Sequence, residues 1–304
     1  MDRHWGLVGV PSSAGAHTPG LEKGPAALRA AGLVELLGRT GAEVDDYGDL
    51  ASFRWRPDLE HPNGQNAAAV ARGAGQTAGA VAEVLARSRT PLVVGGDCTI
   101  TVGVVAGFMR SGARPALLYV DGGPDLYTPE TRANGNLDAM GLAHMLAIPG
   151  HLPELASVGP TVPMLTPRDV VAYGDALPED DLERRLLGDL GIARIPAADV
   201  HDDPRAAASL ALDQAEAAAE AFVLHCDVDV LEFVDAPLAD VPDSGGDPIG
   251  LTLAELATSL AVFATSPRFA GLVLTEVNPD HVPDLAVLRD FVDTLTTVLA
   301  GQRV

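Results

Sequence analysis

Cysteine is scarce in this chain, with two in 304 residues. Cys98 and Cys226 cannot build a disulfide framework, and both adjoin apolar strand-like runs, which fits a reducing cytoplasm. Positive charge is scarce as well: Lys+Arg 20 against Asp+Glu 42 leaves −22. Such a field repels phosphate backbones and anionic lipid, which argues against nucleic acid and membrane surfaces as partners and favours cationic small molecules. Most of that charge is accounted for by a solvated acidic surface. Uninterrupted apolar runs of about 18 residues are lacking, so no membrane-spanning helix is expected. The first residues, Met1-Asp2-Arg3-His4-Trp5, carry no apolar signal core. A cytoplasmic location is the expectation.

What remains is ample for a core. Hydrophobic residues make up 47%, and the mean hydropathy is +0.17. The length and the lack of any repeat or linker predict one domain over residues 1–304. Strand-like runs at 7–11, 90–96, 116–120, 170–173, 221–224 and 269–275 alternate with helix-like segments at 25–37, 67–86, 99–109, 140–148, 179–187, 204–219, 252–264 and 283–299. Gly38 weakens the first of these. Thr252 and Glu255 have the spacing of a capping box, and a Gly/Pro/Asp-rich loop spans 236–248. Alternation of this kind implies right-handed crossovers and a parallel sheet covered on both faces.

Two of the strand-like runs end on carboxylates. Residues 116–120 lead into Asp121-Gly122-Gly123-Pro124-Asp125, and residues 221–224 lead into His225-Cys226-Asp227-Val228-Asp229. Side chains alternate along an extended chain, so Asp121, Gly123 and Asp125 share a side, as do His225, Asp227 and Asp229. Acids gathered at a sheet edge repel one another, and a metal ion is the usual counter-charge. By the same alternation Cys226 faces away, into the core. His144, mid-helix beside Met145, reads as structural, and the remaining histidines have no partner at ligand spacing.

At this point the residues resemble the ureohydrolases, the arginase and agmatinase superfamily, nearly end to end. Gly9-Val10-Pro11 followed by Gly24-Pro25-Ala26-Ala27-Leu28-Arg29 is similar to the family's opening. Gly95-Gly96-Asp97-Cys98 resembles its Gly-Gly-Asp-His turn, with Cys for His. Asp121-Gly122-Gly123-Pro124-Asp125 resembles Asp-Ala-His-x-Asp, with Gly for the central His. His225-Cys226-Asp227-Val228-Asp229 resembles Ser-x-Asp-x-Asp, and Glu276-Val277-Asn278-Pro279 resembles the late Glu-Val-Asn-Pro.

The resemblance, together with the strand count, implies a three-layer α/β/α fold with a mostly parallel sheet of about eight strands. It implies a metal-dependent hydrolase that cleaves a C–N bond in a guanidino or amidino compound and releases urea. In the family two Mn²⁺ ions activate the attacking water. Carried over, Cys98, Asp121, Asp125 and Asp227 would hold one ion, and Asp121, Asp227 and Asp229 the other. Gly123 offers the second position nothing. Asp125 would also orient the attacking water, and Glu276 would face the guanidinium. Asp138 stands where arginases have a proton-shuttling His, and an aspartate's ordinary pKa of about 3.9 suits that task poorly. Asn134 and Asn136 fall where arginases bind an amino acid's carboxylate, and Asp180 roughly where an acid takes the α-amino group. Trimers or hexamers are implied by the same analogy.

The departures leave alternatives open. A thiolate at Cys98 would favour Zn or Fe over Mn, and the loss at Gly123 favours one ion rather than two. Cys98 could equally be a small buried filler. His225 could replace a lost imidazole, or it could stand beside the carboxylates as a neutral hydrogen-bonded histidine, which needs no metal. A non-catalytic or regulatory homologue, or chemistry at the Cys98 thiol, are the competing functions. The thiol route suffers because no histidine lies beside Cys98 by local spacing.

Overall fold

Eight extended segments pair into one sheet in the computed structural model, which describes residues 3–239 and 250–301. They are β1 (His4–Val10), β2 (Glu43–Asp49), β3 (Thr90–Gly95), β4 (Ala116–Val120), β5 (Val170–Tyr173), β6 (Ala193–Ile195), β7 (Phe222–Asp227) and β8 (Phe269–Thr275). Their spatial order is β2-β1-β3-β8-β7-β4-β5-β6. Every pairing between them is parallel, so the sheet is wholly rather than mostly parallel.

The central strands are continuous apolar runs because both faces are covered. Alternate residues split cleanly between two cores. Leu92, Leu118, Leu224 and Leu272 pack on one side, and Val93, Leu117, Val223 and Val273 on the other. In chain order the helices are α1 (Gly24–Ala30), α2 (Leu33–Arg39), α3 (Ala67–Ala86), α4 (Ile100–Arg110), α5 (Gly141–Leu146), α6 (Pro153–Ala156), α7 (Leu182–Leu190), α8 (Ala197–Asp202), α9 (Pro204–Ala218), α10 (Leu253–Thr265) and α11 (Leu285–Leu299). Helices α1, α2, α9, α10 and α11 cover the first face. Helices α3, α4 and α5 cover the second.

Local chemistry sets several boundaries. The single helix expected over 25–37 is two helices, because Gly32 adopts a left-handed φ of 100° between them. The charged helix expected from residue 179 begins at Leu182. Asp181 caps it by accepting from the Glu183 and Arg184 amides. Thr252 and Glu255 form both hydrogen bonds of the predicted capping box. Strands β2 and β6 were missed in the sequence. One is an edge strand crowded with Glu43, Asp45, Asp46 and Asp49, and the other has three residues. An edge strand has no apolar run to display, since one side of it lies open. Of the loop expected over 236–248, residues 240–248 lie outside those described. No helix among the described residues is long and apolar enough to cross a membrane.

Candidate metal centre

The four central strands β3, β8, β7 and β4 end side by side, at the edge where parallel sheets bind ligands. Strand β3 runs into the Gly95-Gly96-Asp97-Cys98 turn. Gly96 is required there, since a Cβ would lie 2.1 Å from the Ser12 carbonyl oxygen. Asp97 braces the turn by accepting from the Gly15 amide at 3.0 Å and from the Thr99 amide at 3.2 Å. Cys98, next in line, is buried beside the ends of β4 and β7. Tyr119 and Asp121 share one face of β4, and His225 and Asp227 share that same face of β7, because each pair is two residues apart.

The donors converge. Cys98 Sγ lies 2.5 Å from Asp227 Oδ2, 3.5 Å from His225 Nε2 and 3.9 Å from Asp121 Oδ2. His225 Nε2 is 3.1 Å from Asp121 Oδ2. One donor atom from each of these four buried residues lies within 4.8 Å of the others. The other side of the imidazole is anchored, with Nδ1 2.8 Å from Thr101 Oγ1. The ring is stacked on Tyr119 at 3.9 Å between centroids.

The remaining acids surround this group. Asp125 adopts a left-handed φ of 52°, and the Tyr119 hydroxyl donates to its Oδ2 at 2.5 Å. Asp229 Oδ1 accepts from the Gly122 amide at 3.0 Å. Asp138 Oδ1 accepts from the Cys98 amide at 2.5 Å. Glu276, also left-handed at φ 66°, is buried, and its Oε1 has no partner among the described residues. Two non-glycine residues in that backbone region at one site mark it as a place where geometry outweighs local preference. A Cβ on Gly123 would meet only Glu183 Oε2, at 3.6 Å.

A cavity of about 380 Å³ opens onto this edge. Arg132 is the one arginine or lysine on its wall among the described residues. The charge imbalance shows in the titration of the acids. Burial first, then mutual repulsion, pushes Asp121, Asp125, Asp227 and Glu276 well above the usual carboxylate range. Asp138 is pushed up to about 7 by burial and by Asp97. Burial thus lifts Asp138 out of the ordinary aspartate range. Glu183 rises to about 8, mainly through burial. Burial lowers His225 to about 3, so the imidazole is neutral and able to donate a lone pair.

Burial and then Asp227, Asp138, Asp121 and Asp125 raise the Cys98 thiol well above its ordinary value. The histidine that local spacing failed to place beside Cys98 is there, supplied by β7. Yet a thiol ringed by carboxylates stays protonated until a cation arrives, which argues against it as a free nucleophile.

The expected residues divide into two groups. Asp125, Asp138, Asp229, Glu276 and Asn136 line the same cavity as Cys98, Asp121 and Asp227. Asn134 and Asp180 are exposed and off its wall. Asn134 Oδ1 accepts from the Asn136 amide at 3.2 Å. The Asp180 carbonyl accepts from Arg185 at 2.6 Å. In that segment it is Glu183, hidden in the sequence as one acid of a charged helix, that reaches the cavity, with Oε1 2.7 Å from the Leu126 amide. Tyr119 and Thr101 were also missed. The i, i+2 alternation could have placed Tyr119 beside Asp121. Nothing local could have placed Thr101. Cys226 packs in the opposite core, as expected. His144 is buried with Nδ1 3.3 Å from the Leu152 amide, which agrees with a structural role.

The donor set is one that suits a divalent ion. One position has a thiol, an imidazole and two carboxylates converging on it. At the second position, beside Asp121, Asp227 and Asp229, Gly123 leaves space and adds no donor of its own. The possible group Cys98, Asp138 and Glu276 shares the same sulfur with the first.

A family model described as the Arginase family matches residues 3–290. The chain is 31% identical to the arginase of Bacillus caldovelox over 281 residues, which is 90% of each chain. The solved structure of that arginase superposes with a TM-score of 0.88 at 26% identity, covering 98% of both chains. The formimidoylglutamase of Bacillus subtilis superposes with a TM-score of 0.75 at 16% identity, covering 99% of this chain and 88% of the other.

Proposed function

The chain belongs to the arginase family, and from that premise we propose that it hydrolyses a C–N bond in a cationic guanidino or amidino small molecule at an altered metal centre. The observation that carries this reading is Glu276. Its carboxyl shares a hydrogen bond with Asp138, yet its buried Oε1 has no partner among the described residues, and a cation is what would ionise and pair with it in a cavity crowded with acids. A planar guanidinium or amidinium supplies both positive charge and paired N–H donors.

Cys98, Asp121 and Asp227 would hold a divalent ion, with Asp125, Asp229 and His225 around them. When bound, such an ion activates water and supplies positive charge. The chain's own groups do the rest. Glu276 orients the cationic end of the substrate. Asp125, fixed by Tyr119, is placed to accept a proton on the cavity side. Asp138, titrating near neutrality, can carry a proton to the leaving amine. Arg132 on the wall offers a partner for an anionic group on the substrate, beside Asn136. We read the whole chain as one arginase-like domain, and the family likeness supports assembly into homo-oligomers.

The test is urea and ammonia release from a panel of guanidino and amidino compounds, with protein purified without chelator. Turnover that vanishes in Glu276→Gln is expected. No turnover across the panel with any divalent metal would leave the non-catalytic alternative.

A further inference from the structure

We propose that this chain has rebuilt its metal centre around His225. A single ion is held by Cys98, Asp121, His225 and Asp227, while Asp125 is released from coordination. This rests on the metal-dependent reading above and deepens it.

Three observations carry it. First, the spacing is that of ligands around a common point. Zinc bonds of about 2.3 Å to sulfur and about 2.0–2.1 Å to nitrogen or oxygen, at tetrahedral angles, set donors about 3.3–3.6 Å apart. The Cys98–His225, His225–Asp121 and Cys98–Asp121 separations are 3.5, 3.1 and 3.9 Å. The Cys98–Asp227 pair, at 2.5 Å, is closer than ligands sit and has to open on binding.

Second, His225 is held as metal-binding histidines are. Its Nδ1 faces Thr101 Oγ1, which fixes the ring and leaves Nε2 for the ion. Tyr119 stacks on its face. The sequence lost imidazoles at two places, Cys98 and Gly123, and a histidine from a third strand position stands where its nitrogen meets the surviving ligands.

Third, one of the two Asp125 carboxylate oxygens, Oδ2, is already hydrogen-bonded to Tyr119, and Asp125 does not belong to the four-residue group.

A set with one thiolate and one imidazole selects Zn²⁺ or Fe²⁺ over Mn²⁺. Coordination releases the Cys98 proton, together with any held by Asp121 and Asp227, to solvent and leaves the imidazole neutral, so binding is tighter at higher pH. Cys98, Asp121 and Asp227 line the cavity, whereas His225 closes the site from behind. Water or a substrate atom would have to join from the cavity side, expanding the coordination from four to five.

The experiment uses the full chain, freed of metal and titrated with Co²⁺, with Zn²⁺ affinity measured by competition. One equivalent per chain is expected, with a near-ultraviolet thiolate-to-cobalt band that Cys98→Ser abolishes. His225→Ala should weaken Zn²⁺ binding by about 10- to 100-fold. His225→Gln, which keeps a polar group near Thr101, should do the same. Circular dichroism of the metal-free variants shows that each is folded. Two equivalents per chain, cobalt binding without the band, no binding at all, or wild-type affinity in a folded His225 variant would each overturn the assignment.

The two readings fail separately. Hydrolysis with two Mn²⁺ and no thiolate signature sinks the rebuilt site and spares the hydrolase. One thiolate-bound ion without turnover on any guanidino or amidino compound sinks the hydrolase and spares the site.

Discussion

The Tyr119 ring lies flat against the His225 imidazole, 3.9 Å away and tilted by 10°, and the Tyr119 hydroxyl reaches Asp125. One side chain thus sets both the plane of a histidine and the position of a carboxylate. Tyr119→Phe keeps the stack and loses the hydroxyl. It should bind metal as the wild type does and turn over more slowly, which parallel cobalt titration and kinetics would reveal. Tyr119→Ala should damage both and cost about 3–5 kcal/mol in denaturant unfolding, because the ring is fully buried.

Gly123 offers room without a donor. Restoring both histidines, Cys98→His with Gly123→His, should raise Mn²⁺ affinity by at least about tenfold and bring occupancy toward two ions per chain. Paramagnetic resonance would count the bound Mn²⁺. No gain would mean that the two positions do not correspond to the family's ligands.

Glu276→Gln removes a buried titratable carboxyl from a crowded set. Turnover should fall by about 100-fold or more, since the lost anion pairs with the reacting cation. At pH above its raised pKa, metal-free stability should rise by about 1–2 kcal/mol, because the variant has no buried charge to form there. Kinetics and chemical denaturation on the same variant would check the two opposite effects.

Glu183 gives a pH signature. Its carboxyl sits at about 8 in the fold, against an ordinary 4.5, mainly because it is buried. Between those values the folded state holds a proton that the unfolded state has lost, so this group lowers stability as pH rises from 5 toward 8. Glu183→Gln keeps an oxygen for the Leu126 amide and removes the titration. Its melting temperature should fall less than the wild type's over that range. Equal slopes would count against a raised Glu183.

Much of this architecture is local in origin. The buried strands are apolar runs that hardly any other structure would bury, and the Thr252–Glu255 cap is written in four consecutive residues. The edge strands β2 and β6 escaped notice because an open edge needs no apolar run, and Gly32 divided a helix that periodicity alone would join. The acids that end β4 and β7 were legible because carboxylates at the close of apolar runs are expensive without a cation.

The sequence by itself determined six of the eight strands, the acids that close two of them and the missing imidazoles at Cys98 and Gly123. It could not say what replaced them. Cys98 and His225 are separated by 127 residues and meet because β3, β8, β7 and β4 end together. Only the sheet order brings that thiol to that imidazole. Only burial raises Asp138 toward neutrality and Glu183 toward 8, since a pKa depends on the surrounding dielectric and charges rather than on chain neighbours.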